Sequence, residues 1–307
     1  MIMKKPKIWG RVNFFSILLL PLSSITFIYC YLKKIFIKQK EFDIPIVCVG
    51  NIYVGGTGKT PLSIYLYNLL KRRRFRPAII KKYYFSHQDE INLLKNKVKQ
   101  LFLSSNRCSA IIEAKRKKNN VMVLDDGFQD NTVKKKLNIL CFNSIDMVGN
   151  GFLIPSGPLR EPLRNMINSQ IVVINGKRNI IFEKKLRSIS KKTKIFYSKY
   201  IFNKKNIRKE NVLAFAGIGN PEGFFNLLKE NNFNVKETFS YPDHYNFQKN
   251  EIKELIMKAK KENLKLLTTE KDYFRIKKLG FKEINYMPVT LKILKSKLFE
   301  KEILKNL

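Results

Sequence analysis

An apolar run from Ile44 to Val49 breaks into Gly50-Asn51-Ile52-Tyr53-Val54-Gly55-Gly56-Thr57-Gly58-Lys59-Thr60-Pro61, a glycine-rich loop closed by Gly-Lys-Thr. A strand that feeds a helix through successive glycines turns its backbone N–H groups inward on an oxyanion. The lysine then reaches the β- and γ-phosphates, and the threonine hydroxyl completes a magnesium shell. Gly55, Gly56, Thr57, Gly58, Lys59 and Thr60 are therefore the expected nucleotide-binding residues, with a nucleoside triphosphate as the ligand. The general pattern would place a further glycine at position 53, where this chain has Tyr53. Leu62, Ile64, Leu66, Leu69 and Leu70 suit a helix opening at Lys59, the context that such a match needs.

Beyond the loop, apolar strands are expected at Pro77 to Ile80, Gln100 to Leu103, Val121 to Leu124 and Leu137 to Phe142. A basic, poorly patterned stretch from Gly176 to Lys209 precedes a second series. There Val212 to Ala216, Val235 to Phe239, Leu264 to Thr268 and Ile284 to Met287 read as strands, with helices near Pro221 to Glu230, Gln248 to Glu262 and Lys271 to Lys278. Such alternation predicts an α/β protein: a P-loop NTPase-type parallel sheet domain, a second smaller α/β domain and a cleft between them. The expected division is an N-terminal membrane-associating helical segment at 1–40, a kinase-like domain at 41–175, a linker at 176–210 and the second domain at 211–307.

The 307 residues suffice for that core. Cys30, Cys48, Cys108 and Cys141 lie far apart, and the two histidines are too few for a histidine-based metal centre. The net charge of +36 is spread along the whole chain without a recognition-module signature, which argues against nucleic acid as partner and leaves solvated lysines or an anionic membrane surface. From Val12 to Leu32 there are 21 uncharged residues, flanked by Lys4, Lys5, Lys7 and Arg11 before and Lys33 and Lys34 after. Pro21, Ser23, Ser24 and Thr26 interrupt this stretch, and spanning would put basic residues on the outer side. A helix or hairpin lying in the cytoplasmic interface is the expectation, with Trp9, Tyr29 and Tyr31 as boundary residues.

Val121-Met122-Val123-Leu124-Asp125-Asp126 is an apolar strand ending in two carboxylates. Ligands of parallel sheets sit beyond the carboxyl ends of the strands, so Asp125 and Asp126 are candidates, with Thr60, for holding magnesium; strand-end aspartates also serve as simple turn formers. The chain continues Gly127-Phe128-Gln129, then Gly149-Asn150-Gly151 and Pro155-Ser156-Gly157-Pro158-Leu159-Arg160-Glu161-Pro162. Further on come Phe215-Ala216-Gly217-Ile218-Gly219-Asn220-Pro221, Pro242-Asp243-His244-Tyr245 and Thr268-Thr269-Glu270-Lys271-Asp272. In order and over nearly the whole chain, this set resembles the tetraacyldisaccharide 4'-kinase family of lipid A biosynthesis.

The resemblance implies transfer of the ATP γ-phosphate, with Mg2+, to the 4'-hydroxyl of tetraacyldisaccharide 1-phosphate, giving lipid IVA. It places the protein on the cytoplasmic face of the bacterial inner membrane, peripheral or monotopic. The family's loop also lacks the first glycine, which accounts for Tyr53. The resemblance carries an acidic pair onto Asp89-Glu90 and a histidine onto His244. Asp89 is expected to accept the hydroxyl proton, tuned by His244 across the interdomain cleft; helix capping and turn closure are the structural alternatives. Lys59 is expected to bridge the β- and γ-phosphates. Glu90, Arg160 and Glu161 are expected to line the acceptor cleft, with a surface ion pair as the alternative for Arg160.

Two departures stand out. Members usually carry Ser-Arg-Gly-Tyr-Gly after the second strand, where this chain has Lys81-Lys82-Tyr83-Tyr84-Phe85, and the family's Asp-Asp-Gly-Phe-Gln-His ends here in Asp130. Lys81 or Lys82 is a candidate for the missing positive charge, with a geometry unlike arginine's. A regulatory P-loop ATPase without a small-molecule acceptor is the rival reading. Its signature lysine would fall at Val54, and it leaves Pro242 to Tyr245 unexplained.

Overall fold

In the computed structural model, which describes residues 6–84, 88–202, 210–243 and 245–307, the strands in chain order are β1 (Ile46–Gly50), β2 (Pro77–Lys82), β3 (Leu101–Ser104), β4 (Val121–Asp125), β5 (Leu137–Asn143), β6 (Ile171–Asn175), β7 (Lys194–Phe202), β8 (Asn211–Ala216), β9 (Asn234–Ser240), β10 (Lys265–Thr269), β11 (Asn285–Met287) and β12 (Val289–Ile293). The helices are α1 (Phe14–Leu18), α2 (Leu20–Phe36), α3 (Lys59–Arg72), α4 (Gln88–Lys97), α5 (Arg107–Arg116), α6 (Ile180–Ile189), α7 (Pro221–Glu230), α8 (Lys249–Lys261), α9 (Glu270–Ile276) and α10 (Ser296–Lys305). They form two units. The larger comprises Pro6–Tyr83, Lys97–Lys199 and Leu291–Leu307; the smaller contains Tyr84–Asn96 and Tyr200–Thr290.

The larger unit is built on a sheet of order β12-β7-β6-β5-β1-β4-β2-β3, parallel from β7 through β3. Its central strands are mostly apolar and rich in β-branched residues, and every residue of β1 and β4 is buried, as a sheet covered on both faces requires. Val49 lies opposite Asp125 in the β1–β4 pairing, so the glycine loop and the two aspartates leave the sheet side by side. The smaller unit has a parallel sheet of order β11-β10-β8-β9, with β8 at its buried centre and β9 alternating exposed and half-buried residues along its edge.

The expected strands and helices recur within one or two residues at most positions, but three expected boundaries do not hold. The stretch 176–210 is no plain linker, because it carries α6 and β7. In β7 the buried Phe196 and Ser198 alternate with more exposed neighbours, and the exposed Lys194 and Lys199 dilute the pattern. Residues 291–307 belong to the larger unit rather than to a domain running from 211 to the end. There Phe299 is fully buried, with its ring 5.1 Å from that of Phe196 and 6.0 Å from that of Tyr65. Residues 84–96, with most of α4, belong to the smaller unit although they interrupt 41–175. Nor is Trp9 a boundary residue: it is 8 % exposed, and its Nε1 donates to the Pro155 carbonyl at 2.9 Å.

Candidate nucleotide and acceptor sites

Gly58 opens α3 from the left-handed region, at φ +87°, and contributes no side-chain cap to the helix. The first N–H groups of α3 therefore point into the loop without a side-chain acceptor, the arrangement that receives a phosphate. Glycine is needed at position 50 for a different reason: a Cβ there would sit 2.4 Å from Phe128 Cβ. The loop is braced from within by Asn51, whose Nδ2 donates to the Tyr53 carbonyl at 2.6 Å and to Thr57 Oγ1 at 2.9 Å. It is braced from outside by the Pro-Ser-Gly-Pro-Leu-Arg motif. Val54 N donates to the Pro158 carbonyl at 2.9 Å and Arg160 N to the Ile52 carbonyl at 2.8 Å.

The two aspartates have separate environments. Asp125 is fully buried: its Oδ2 accepts from Thr60 Oγ1 at 3.1 Å and from Lys81 Nζ at 2.7 Å, and its Oδ1 accepts from Ser63 Oγ at 2.9 Å. Asp126, at φ +54°, leaves 29 % of its side chain exposed. Its Oδ1 lies 3.0 Å from Arg160 Nη2 and 3.8 Å from Lys59 Nζ. Burial opposes ionisation of Asp126, but the charges of Lys59 and Arg160 outweigh it and hold the carboxyl well below the usual carboxylate range. Arg107 locks the turn, its Nη2 donating to the carbonyls of Asp125 and Asp126 at 3.2 and 2.8 Å and its Nη1 to Asp130 Oδ2 at 2.7 Å. The acid that departs from the family's histidine is thus the partner of an arginine that shapes the aspartate turn.

Arg160 faces the phosphate loop: its Nη2 also donates to the Asn51 carbonyl at 3.0 Å. Glu161 is buried and accepts from Asn165 Nδ2 at 2.7 Å. Gly55, Gly56, Thr57, Gly58, Lys59, Thr60, Asp125, Asp126 and Arg160 therefore converge on one end of the β1–β4 pair. Among the described residues no group of three His, Cys, Asp or Glu side chains could hold a metal ion. Magnesium in triphosphate sites takes one or two carboxylates, a hydroxyl and the phosphates themselves. The Thr60, Asp125 and Asp126 set fits that requirement.

The second constellation lies wholly in the smaller unit. α4 brings Asp89 and Glu90 to α9, where Arg275 Nη2 lies 2.5 Å and Lys271 Nζ 3.3 Å from Asp89 Oδ2. Lys271 also lies 3.6 Å from Glu90 Oε1 and 3.3 Å from Asp243 Oδ1. Burial disfavours its charge, but Asp243, Glu90 and Asp89 override that and hold its pKa above the ordinary lysine value. Arg275 Nη1 donates to the carbonyls of Gly217 and Tyr245 at 3.2 and 3.0 Å and to Asp272 Oδ1 at 2.8 Å, tying together three of the sequence motifs. Asp89 therefore shares a unit with Asp243, the neighbour of His244, rather than facing it from another domain; His244 itself lies outside the described residues.

Sequence reasoning missed Ser63, Arg107, Lys271 and Arg275 as site residues, and it offered Lys81 only as one of two candidates for the missing positive charge, whereas the structure sets it on Asp125. Ser63 stands three positions after Thr60 on one face of α3, and Arg275 four after Lys271 on α9, spacings that were legible. Arg107 carried no local signal.

The family model for tetraacyldisaccharide-1-P 4'-kinase matches residues 15–307. The chain is 40% identical to the tetraacyldisaccharide 4'-kinase of Pelagibacter ubique (strain HTCC1062), over 99% of this chain and 98% of that one. It is 32% identical to that of Rickettsia bellii (strain OSU 85-389), over 88% and 89%. The fold is shared with LpxK from Aquifex aeolicus, solved in complex with ATP, at a TM-score of 0.70 and 24% identity over 95% of this chain and 99% of that one. With its glycine loop, paired aspartates and second carboxylate cluster, the chain belongs to the tetraacyldisaccharide-1-phosphate 4'-kinase family.

Proposed function

We propose that this chain transfers the γ-phosphate of ATP to the 4'-hydroxyl of tetraacyldisaccharide 1-phosphate, giving lipid IVA. The observation that carries the donor half is the uncapped start of α3, with Lys59 and Thr60 beside Asp125 and Asp126. The α3 amides and Lys59 would bind the β- and γ-phosphates, and Arg160 would hold Asp126 and the loop carbonyl of Asn51 in place. Thr60, Asp125 and Asp126 would hold Mg2+, which neutralises charge on the phosphates when bound.

In the acceptor half, Asp89 would accept the proton of the 4'-hydroxyl, with Arg275 and Lys271 orienting its carboxylate and His244 tuning it. Glu90 and Glu161 would contribute to acceptor binding.

We also assign the N-terminal helices to the anionic surface of the inner membrane. On α2, Ser23 Oγ donates to the Leu153 carbonyl at 2.9 Å, Thr26 Oγ1 to the Ile154 carbonyl at 2.7 Å and Cys30 Sγ to the Arg160 carbonyl at 3.4 Å. The polar residues that interrupt the apolar run thus dock the helix to the protein. Leu22, Ile25, Phe27, Ile28, Tyr29, Tyr31, Leu32, Ile35 and Phe36 are left exposed. A helix with its hydroxyl stripe inward and its apolar face outward is suited to lying in a lipid interface, and the basic surface adds attraction to anionic headgroups. Among the described residues no helix is long and apolar enough to cross a membrane.

The reading is tested by phosphate transfer to the tetraacyl disaccharide at saturating substrate, with the product located at the 4' position by NMR. Asp89→Asn and His244→Ala are expected to lose turnover while keeping ATP binding; near-normal turnover in both removes the proposed base and its partner.

A further inference from the structure

One buried cation in the larger unit has no part in the roles assigned above. Lys81 closes the apolar run of β2, and the β2–β4 register sets it directly opposite Asp125. Its side chain is 3 % exposed, and its Nζ lies 2.7 Å from Oδ2 of an Asp125 that is itself 0 % exposed. That same oxygen accepts from Thr60 Oγ1. Lys81 and the hydroxyl expected to reach the metal therefore share one carboxylate oxygen, inside the protein, at a position where the family usually carries a serine.

We propose that Lys81 is a resident counter-ion of the nucleotide site: it holds Asp125, Thr60 and Ser63 in their metal-ready arrangement before magnesium arrives, and by its charge raises the magnesium concentration the site requires. The inference rests on the kinase reading and deepens it. Two physical facts support it. A buried carboxylate without a cation is strongly disfavoured, so some positive charge must accompany Asp125 in the metal-free protein, and Lys81 supplies it. A divalent ion that then shares Asp125 meets a fixed positive charge, and burial removes the water that would screen the repulsion. A serine at position 81 would bring no charge to compete with the metal for Asp125. Lys81 is thus a positioning residue, acting through Asp125 and Thr60 and not on the transferred phosphate.

The test is equilibrium ATP binding by calorimetry over a magnesium series, together with melting temperature in the absence of metal and nucleotide, for the parent chain, Lys81→Ser, Lys81→Met and Lys81→Arg. In Lys81→Ser and Lys81→Met the magnesium concentration for half-maximal ATP binding is expected to fall by about tenfold. The metal-free melting temperature is expected to fall with it and to recover with Mg2+ and ATP. Lys81→Arg, which keeps the charge, is expected to stay near the parent in magnesium requirement. Variants that fold only with Mg2+ and ATP present also support the proposal, because the metal then replaces the lysine. A magnesium requirement within about twofold of the parent in folded Lys81→Ser overturns it. So does failure of Lys81→Ser and Lys81→Met to fold under either condition, which assigns Lys81 to folding alone. A parent that binds no ATP at any magnesium concentration removes the kinase reading itself.

Discussion

Both units carry their candidate functional residues at the carboxyl ends of a parallel sheet, yet α3 of the larger unit and α7 and α9 of the smaller start in opposite ways. In the larger unit α3 begins at Gly58 with no side-chain cap, so its amides stay available to an anion. In the smaller unit Asn220 accepts from Gly223 N at the start of α7 and Thr269 accepts from Asp272 N at the start of α9. Those termini are already served by the protein's own oxygens, and charge is displayed instead on Asp89, Glu90, Asp243, Lys271 and Arg275. On the proposed function, the contrast would separate a unit that cradles phosphate through its backbone from one that positions a hydroxyl through ionised side chains.

The sharpest break in this comparison is Lys59→Ala. It is expected to reduce phosphate transfer by about 100- to 1,000-fold while melting temperature stays near the parent value, as measured by initial rates and thermal unfolding. The second is Arg275→Met, which leaves the buried Asp89 and Asp272 short of a shared cation. A loss of about 3 kcal/mol in urea unfolding is expected, with ATP binding retained, because the damage is confined to the smaller unit.

The third concerns Asp130. Burial opposes its ionisation, but hydrogen bonds from Thr132 and the neighbouring Arg107 bring its pKa down to about 2. The folded value lies below that of the unfolded chain, so its stabilisation is complete above roughly pH 4 and is lost as pH falls toward about 2. Asp130→Asn is therefore expected to cost about 2 kcal/mol near neutral pH, with the difference from the parent vanishing across that acid window in a pH series of urea melts. The smallest effect is expected from Asn220→Ala, about 1 kcal/mol of stability, read by urea unfolding and without change in ATP affinity. A larger change in ATP affinity there than in stability would erase the distinction between the two kinds of helix start.

How much of this could be read in advance follows from how each feature is encoded. The β1-loop-α3 unit and the Asp125-Asp126 pair are local, with apolar strands long enough to announce themselves and glycines that mark the turn, and they lie where the pattern puts them. The partition of the chain is not local. α4 joins the smaller unit from the middle of the larger unit's sequence, and Leu291–Leu307 return to the larger unit after the smaller is built, where β12 adds to the sheet edge beside β7. In β7 the signal was present but masked, because the basic residues of the surrounding stretch 176–210 dominate its composition. The resemblance offers Lys81 or Lys82 as a substitute for the family's arginine; the register of Lys81 against Asp125 instead turns it inward, which no local pattern announces. Ser23 and Thr26 weakened the apolar run as a membrane element in sequence, whereas in the fold they are its points of attachment.

The central claim is that the larger unit delivers the γ-phosphate and the smaller unit prepares the hydroxyl. The most direct test follows labelled γ-phosphate from ATP and Mg2+ into tetraacyldisaccharide 1-phosphate in mixed micelles, for the parent, Lys59→Ala and Asp89→Asn, with ATP affinity measured in parallel. The account predicts labelled product from the parent alone, weakened ATP binding in Lys59→Ala and parental ATP binding in Asp89→Asn. Intact ATP binding by the parent with no labelled lipid, or product formation by Asp89→Asn at the parental rate, would contradict it.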